Sequence, residues 1–297
     1  MGRAAGHGDT AYAVPALYVV ATPIGNLQDV TLRALEVLKQ VDVIAAEDTR
    51  IAAKLLNHYG ITAKKLMALH EHNESRTAPR IIAVLQEGHS VALATDAGTP
   101  GISDPGARVV AAAREAGFPV VPVPGASAAV AALSASGCTE PHFLFYGFLP
   151  SRGGERRSAL ASLRELPYLL VFYEAPHRII ETLADLAGIL GESRRIVIAR
   201  ELTKLFETIH ACTLGEAAGW VGEDANRTKG EFVLLVEGRS ADRDATLNAG
   251  RNALEVLLEE LPVKQAAALA ARITGAKKND LYQLALSLKK RDEGRLK

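Results

Sequence analysis

Cysteine is scarce in this sequence: only Cys138 and Cys212 occur in 297 residues. They lie far apart, with no second ligand type at metal-binding spacing, which argues against a disulfide-stapled scaffold or a zinc site and points to a reducing compartment. An excess of either charge is absent as well. The 34 Lys and Arg balance 34 Asp and Glu, so the chain is not built to coat a polyanion non-specifically, and any nucleic-acid contact must come from local patches. Aromatic residues make up 5%, which suits helices laid on mainly parallel strands better than a sandwich of short antiparallel ones. No apolar run, the strongest being 169–173 and 232–236, approaches the roughly 20 residues of a membrane-spanning helix. Residues 1–14 lack the basic start and apolar core of a signal peptide and read as a disordered leader. Together these absences point to a soluble, cytoplasmic protein with no membrane association.

What is present is a 48% hydrophobic chain, long enough for two domains and an appendage. Apolar or β-branched runs at 17–21, 43–46, 91–94 and 120–123 predict strands, separated by helical periodicity at 32–39, 51–58, 78–87, 107–116 and 126–136. This alternation predicts an α/β class with a parallel sheet, whose functional loops gather at the carboxyl ends of its strands. The Gly- and Pro-containing polar stretch 147–155 reads as a linker. Strands at 168–173, 195–200, 208–212 and 231–237, with helices at 176–190 and 214–220, then predict a mixed α/β domain. After Gly238 comes a charged helical segment, 242–260; Pro262 opens a second helix, and Gly275 separates that from a third. Residues 241–297 hold eleven Lys and Arg against eight Asp and Glu. They read as a small helical module, with a helix-turn-helix as the alternative, since such turns are common in αα-hairpins. The domain plan is a leader (1–14), an N-terminal α/β domain (15–147), a C-terminal α/β domain (148–239) and the helical module (240–297).

Chemistry is sought in the loops after the strands. The first, Thr22-Pro23-Ile24-Gly25-Asn26, allows close approach or an unusual φ at Gly25 but is not a G-x-G-x-x-G dinucleotide loop. Glu47-Asp48-Thr49-Arg50 either binds a substrate or caps the next helix through Asp48. Residues 69–74 hold two His and two Glu without H-E-x-x-H spacing, so no metal ligand is assigned. Residues 95–106, dense in Gly, Pro and Asp, read as a ligand loop, and the small residues around Ser127 and Ala128 let backbone lie against a flat ligand. Surface salt bridges account for Glu174 with Arg178 and for Arg200 with Glu201.

Taken in order, the segments ATPIGNLQDVTLRALEVLKQVDVIAAEDTR, DAGTPGISDPG, PGASAAVAAL, FYGFLPSR, VFYEAPHR, RELTKLFE and KGEFVLLV span residues 17–236 with few interruptions. Together they resemble the family of ribosomal RNA small-subunit methyltransferase I, within the wider tetrapyrrole methylase class. The resemblance implies a tetrapyrrole-methylase-like fold, with two unlike α/β domains flanking a cleft, and S-adenosyl-L-methionine as cofactor. It also implies a homodimer and 2′-O-methylation of a cytidine ribose in 16S ribosomal RNA, free or in the assembled small subunit.

For the cofactor, the resemblance implies contacts from Pro23, Ile24, Gly25, Asp96, Thr99, Ser127 and Ala128, with Tyr173, Ala199 and Phe232 toward the adenine. The first loop is poorer in glycine than in most of the class, which argues against a porphyrin-like substrate. Methyl transfer to a hydroxyl needs orientation and a proton acceptor. Glu47, Asp48, Arg50, Glu201 and Lys204 are the catalytic candidates, the carboxylates as acceptors and the cations as phosphate clamps. Arg152, Arg156, Arg157, Arg178 and the helical module are the candidate RNA contacts. The alternatives are a C-methyltransferase acting on a tetrapyrrole precursor and a non-catalytic ribosome-binding module.

Overall fold

The structure is a computed structural model that describes residues 15–239 and 243–295; the leader of residues 1–14 lies outside them. Five short strands, β1 (Leu17–Val20), β2 (Val43–Ala46), β3 (Leu66–Ala68), β4 (Val91–Ala94) and β5 (Val120–Val123), form one sheet in the order β3-β2-β4-β1-β5. Every pairing in it is parallel. Alternate side chains leave opposite faces of a strand, and the core divides accordingly. Tyr18, Val20, Ile44, Ala92 and Ala94 join one apolar cluster, while Leu17, Val43, Ala45, Val91 and Leu93 join another. Both faces are therefore covered, as the crossover helices of a parallel sheet require. These helices are α1 (Leu32–Gln40), α2 (Thr49–His58), α3 (Glu74–Gln86) and α4 (Ala107–Glu115), while α5 (Ala128–Ala135) follows the last strand of the sheet.

A second sheet has the order β6-β7-β10-β8-β9, from β6 (Phe143–Phe148), β7 (Leu169–Glu174), β8 (Arg195–Arg200), β9 (Thr208–Thr213) and β10 (Phe232–Val236). It is mixed: β6 runs parallel to β7, and the other pairs are antiparallel. Helix α5 of the first half packs on this second sheet, where Ala129 and Ala132 meet Leu169, Val171, Val197, Ala199, Val233 and Leu235. Helices α6 (Gly153–Leu163), α7 (Ile179–Leu190) and α8 (Leu214–Gly222) pack side by side, α6 on α7 and α7 on α8. A Thr213–Glu216 capping box starts α8.

The expected linker at 147–155 is instead the end of β6 and the start of α6. Gly147, at φ +79, carries the register irregularity that lets β6 keep pairing with β7, so the glycine marks a bulge within a strand.

The chain divides into two compact units, one holding both sheets and the other holding Glu165–Pro167 with the chain from Gly238 onward. Within the second unit, α9 (Arg243–Glu260), α10 (Val263–Thr274) and α11 (Lys278–Arg295) pack around Leu254, Ala266, Ala267, Ala270, Leu281 and Ala285. Gly275 ends α10 in the left-handed conformation, the usual solution for a helix stop. Among the described residues no helix is long and apolar enough to cross a membrane.

Candidate active site

The loops at the carboxyl ends of β1 and β4 are tied by a two-residue antiparallel bridge. The Thr22 amide donates to the Gly98 carbonyl at 2.9 Å, and the Gly98 amide returns a bond to the Thr22 carbonyl at 3.1 Å. Thr22 Oγ1 adds a bond to the Thr95 carbonyl at 3.0 Å. Gly98 sits at φ +86, and a Cβ on it would approach Ile24 Cγ2 to 3.5 Å and the Ala126 carbonyl to 3.7 Å. This bridge separates two cavities.

The first cavity, of about 300 Å³, lies between the tips of the two sheets. Ile24, Gly98, Thr99, Asp104, Ser127 and Ala128 reach it from the first half, and Tyr173, Glu231, Phe232 and Val233 from the second, with Phe148 and Leu202 at its side. Thr99 Oγ1 is fixed by donating to the Ala126 carbonyl at 3.1 Å. The Tyr173 hydroxyl accepts the Ala129 amide at 3.1 Å, and its ring meets Phe145 and Phe148 edge-on at 4.9 and 5.6 Å. Burial raises the Tyr173 phenol above its ordinary value, so it stays a neutral hydroxyl at physiological pH.

Of the ten cofactor candidates, Ile24, Thr99, Ser127, Ala128, Tyr173 and Phe232 line this cavity. Pro23 and Asp96 line the second cavity instead. Ala199 is buried in the core beneath the site. Gly25 serves neither an unusual φ nor the cavity lining: a Cβ there would stand 2.5 Å from Lys204 Cγ, so its smallness lets the Lys204 stem cross it. Asn26 N–H donates to Thr203 Oγ1 at 3.1 Å, fastening the first loop to the loop after β8. That loop is strained, with Glu201 at φ +52 and Thr203 at φ +66, a conformation non-glycine residues hold only when their surroundings dictate it.

The catalytic candidates fall into two groups. Asp48 caps α2 by accepting the Arg50 amide at 2.8 Å, and its carboxylate grips the Arg50 guanidinium at 2.5 Å. The capping alternative for Asp48 is therefore realised, and Arg50 in turn holds its carboxyl far below the usual carboxylate range. Among the described residues no lysine or arginine pairs with Glu47; its Oε2 accepts the Asp96 amide at 3.4 Å, while burial raises its carboxyl. Asp104 completes a group of carboxylates within electrostatic range of one another: burial first, then Glu47 and Asp96, lift it to about 6. In the second group, Lys204 Nζ bonds Glu201 Oε1 at 2.7 Å and Glu231 Oε2 at 2.9 Å. Burial works to raise the Glu201 carboxyl, yet Lys204 and the Glu231 amide hold it below its ordinary value.

Four sequence expectations are corrected here. Arg200 does not pair with Glu201; its guanidinium donates to the carbonyls of Asn226, Lys229 and Phe206. The Glu174–Arg178 pair is no surface bridge, because the Glu174 side chain is fully buried. Arg178 also donates to the Leu149 and Pro150 carbonyls, and Arg156, 2% exposed, is consumed by Asp185 and Glu181. Neither arginine is thus free to contact RNA. Arg152 and Arg157 remain largely exposed. Within the His-rich stretch, Glu74 is a structural residue: its carboxylate accepts the amides of Gly106 and Arg108, both at 2.9 Å, and secures the start of α4.

Sequence reasoning passed over Asp104, Leu202 and Glu231 as individual site residues. The available signal was their place within DAGTPGISDPG, RELTKLFE and KGEFVLLV; chain position alone does not say which loop residues turn inward.

Residues 16–218 match the profile of Tetrapyrrole (Corrin/Porphyrin) Methylases, and residues 244–289 match that of the RsmI C-terminal HTH domain. The chain is 54% identical to "Ribosomal RNA small subunit methyltransferase I" of Escherichia coli O157:H7, over 91% of this chain and 94% of the relative. It is 52% identical to the protein of the same name from Pseudomonas aeruginosa, over 91% and 96%. Among solved structures, the methyltransferase CobJ superposes with a TM-score of 0.57 at 20% identity, covering 76% of this chain and 95% of that one. Uroporphyrin-III C-methyl transferase from Thermus thermophilus, complexed with S-adenyl homocysteine, gives 0.54 at 19%, covering 74% and 96%. At those identities the structural likeness establishes the fold alone. The chain belongs to the tetrapyrrole methylase family, in the branch of the ribosomal RNA small subunit methyltransferases I.

Proposed function

We propose that this protein is a cytoplasmic S-adenosyl-L-methionine-dependent enzyme that methylates a cytidine ribose 2′-hydroxyl in 16S ribosomal RNA. The observation that carries this reading is the convergence of loops from both sheets, including DAGTPGISDPG and KGEFVLLV, on one cavity of about 300 Å³. The residues present fit the donor. A volume of this order is at the low end for small-molecule sites, and the aromatic rings of Phe148, Tyr173 and Phe232 suit a purine. The Asp104 carboxylate, with no hydrogen-bond donor among the described residues, suits a cationic sulfonium.

When bound, S-adenosyl-L-methionine supplies an electrophilic methyl group. The protein's task is then to hold the ribose in line and to accept its proton. Glu47 is the preferred acceptor, because Asp48 and Glu201 are each held by a cation. Arg50, whose side chain is 86% exposed, is the preferred clamp for an RNA phosphate, while Lys204, bonded to Glu201 and Glu231, holds the loop after β8. Gly25 and Ala199 act indirectly, the first by admitting the Lys204 stem and the second by backing the sheet. Labelled methyl transfer to small ribosomal subunits, followed by RNA mass spectrometry, tests the reading. A 2′-O-methylcytidine is expected; transfer to a porphyrinoid instead would overturn it.

Two further results are expected. Donor affinity should fall about tenfold as pH drops from 7.5 to 5, because Asp104, raised to about 6, becomes protonated and loses its attraction for a cation. The sign for stability is the reverse of the donor effect. A carboxyl with a raised folded pKa destabilises once ionised, so Asp104→Asn should stabilise the free protein above pH 6 while weakening donor binding and flattening its pH profile. Calorimetry at several pH values checks both. Deleting the chain after Arg239 should weaken small-subunit binding more than donor binding, as filter binding and calorimetry would read; equal losses would assign the module to folding.

A homodimer is part of the same proposal. It is supported by exposed Phe143 and Tyr146 on the edge strand β6, since an apolar sheet edge invites pairing.

A further inference from the structure

The second cavity, also of about 300 Å³, opens on the other side of the Thr22–Gly98 bridge from the donor cavity. Leu38, Ile44, Leu55 and Leu56 make its walls apolar. Two polar features interrupt them. The Thr95 hydroxyl is buried and has no hydrogen-bond partner among the described residues, a costly state for a donor unless a ligand meets it. Asp96 uses Oδ1 to accept the Asp48 amide at 3.0 Å, leaving Oδ2 without a donor among the described residues. At the mouth stand Ile51, 41% exposed, and Lys54.

A ligand for this space needs apolar faces and a polar edge, and must fit beside the methyl donor. A nucleobase has that shape, and single-stranded RNA is recognised by splaying bases into such slots. The edge chemistry narrows the choice. A carboxylate accepts from the exocyclic amino group of cytosine and is repelled by the carbonyl that uracil presents at the same place. A threonine hydroxyl can donate to the ring nitrogen or the carbonyl beside it. Lys54 at the mouth suits the flanking phosphate.

We propose that this second cavity receives the cytosine ring of the target nucleotide, and that Thr95 and Asp96 read its pairing edge while the ribose stays at the bridge, facing the donor. This rests on the functional reading above. Both Ile51→Trp, which obstructs the mouth without overfilling the core, and Thr95→Val, which keeps the volume but removes the hydroxyl, should leave donor affinity by calorimetry unchanged. Ile51→Trp should lower kcat/KM on small subunits by about tenfold, and Thr95→Val should narrow the preference for cytidine over uridine at the target position by about tenfold.

Undiminished kcat/KM in Ile51→Trp and unchanged preference in Thr95→Val would overturn the proposal alone. Loss of donor affinity in both would overturn it by giving the cavity to the donor. If the wild-type protein methylated no small-subunit RNA, the functional reading would fall, and this proposal with it.

Discussion

The Gly98→Val variant is expected to bind S-adenosyl-L-methionine about 100-fold more weakly, or not at all. Gly98 stands at φ +86, where an L-residue costs about 1–2 kcal/mol and a β-branched one more. Its backbone is held from both directions by Thr22, so the tip cannot relax toward an ordinary conformation without breaking the bridge. A Cβ there would already be in van der Waals contact with Ile24 and the Ala126 carbonyl, so the two methyl groups of valine would take up space in the donor cavity that Gly98 lines. Gly60→Ala is the control: that glycine is also at positive φ, with nothing within 4 Å of its would-be Cβ. It should pay the backbone strain and keep donor affinity. Calorimetry on both variants separates strain from occlusion, and wild-type affinity in Gly98→Val would remove the bridge from the site.

Arg156→Ala should destabilise the protein by about 3–5 kcal/mol, the range for breaking a buried ion pair from one side. Arg156 Nε meets Asp185 Oδ2 at 2.7 Å and its Nη2 meets Glu181 Oε2 at 3.4 Å, joining α6 to α7. Removing it leaves Asp185, 14% exposed, with Arg157 at 3.4 Å as its remaining cation. Arg157→Ala, at an exposed position, should cost no more than about 1 kcal/mol. Denaturant unfolding distinguishes the two. If Arg156→Ala kept its stability but lost RNA affinity, Arg156 would be a phosphate contact after all.

Most of the architecture was legible because its strands are runs of Val, Ile, Leu and Ala whose alternate members reach two separate apolar clusters. The elements missed had weaker signals. Strand β3 is three residues at a sheet edge, Leu-Met-Ala, with no β-branched member. Gly147 disguised β6 as a linker, and α6 begins Gly-Gly-Glu-Arg-Arg, a surface-like start that conceals a buried arginine.

At the site, the loops were legible as loops, since Gly, Pro and Asp cluster at strand ends. What each residue faces was not. Pro23 and Ile24 are neighbours in the chain yet line different cavities, a separation created by a bridge between residues 76 apart in sequence. The packing of Gly25 on Lys204 joins residues still more distant. The first contact depends on which strands of one sheet become neighbours and the second on how the two sheets meet, neither of which a local pattern records.

A crystal structure with S-adenosylhomocysteine tests the central claim most directly. Density for the ligand is expected in the cavity bounded by Ile24, Gly98, Tyr173 and Phe232. Density in the Leu55-lined cavity, or none at saturating ligand, would contradict it.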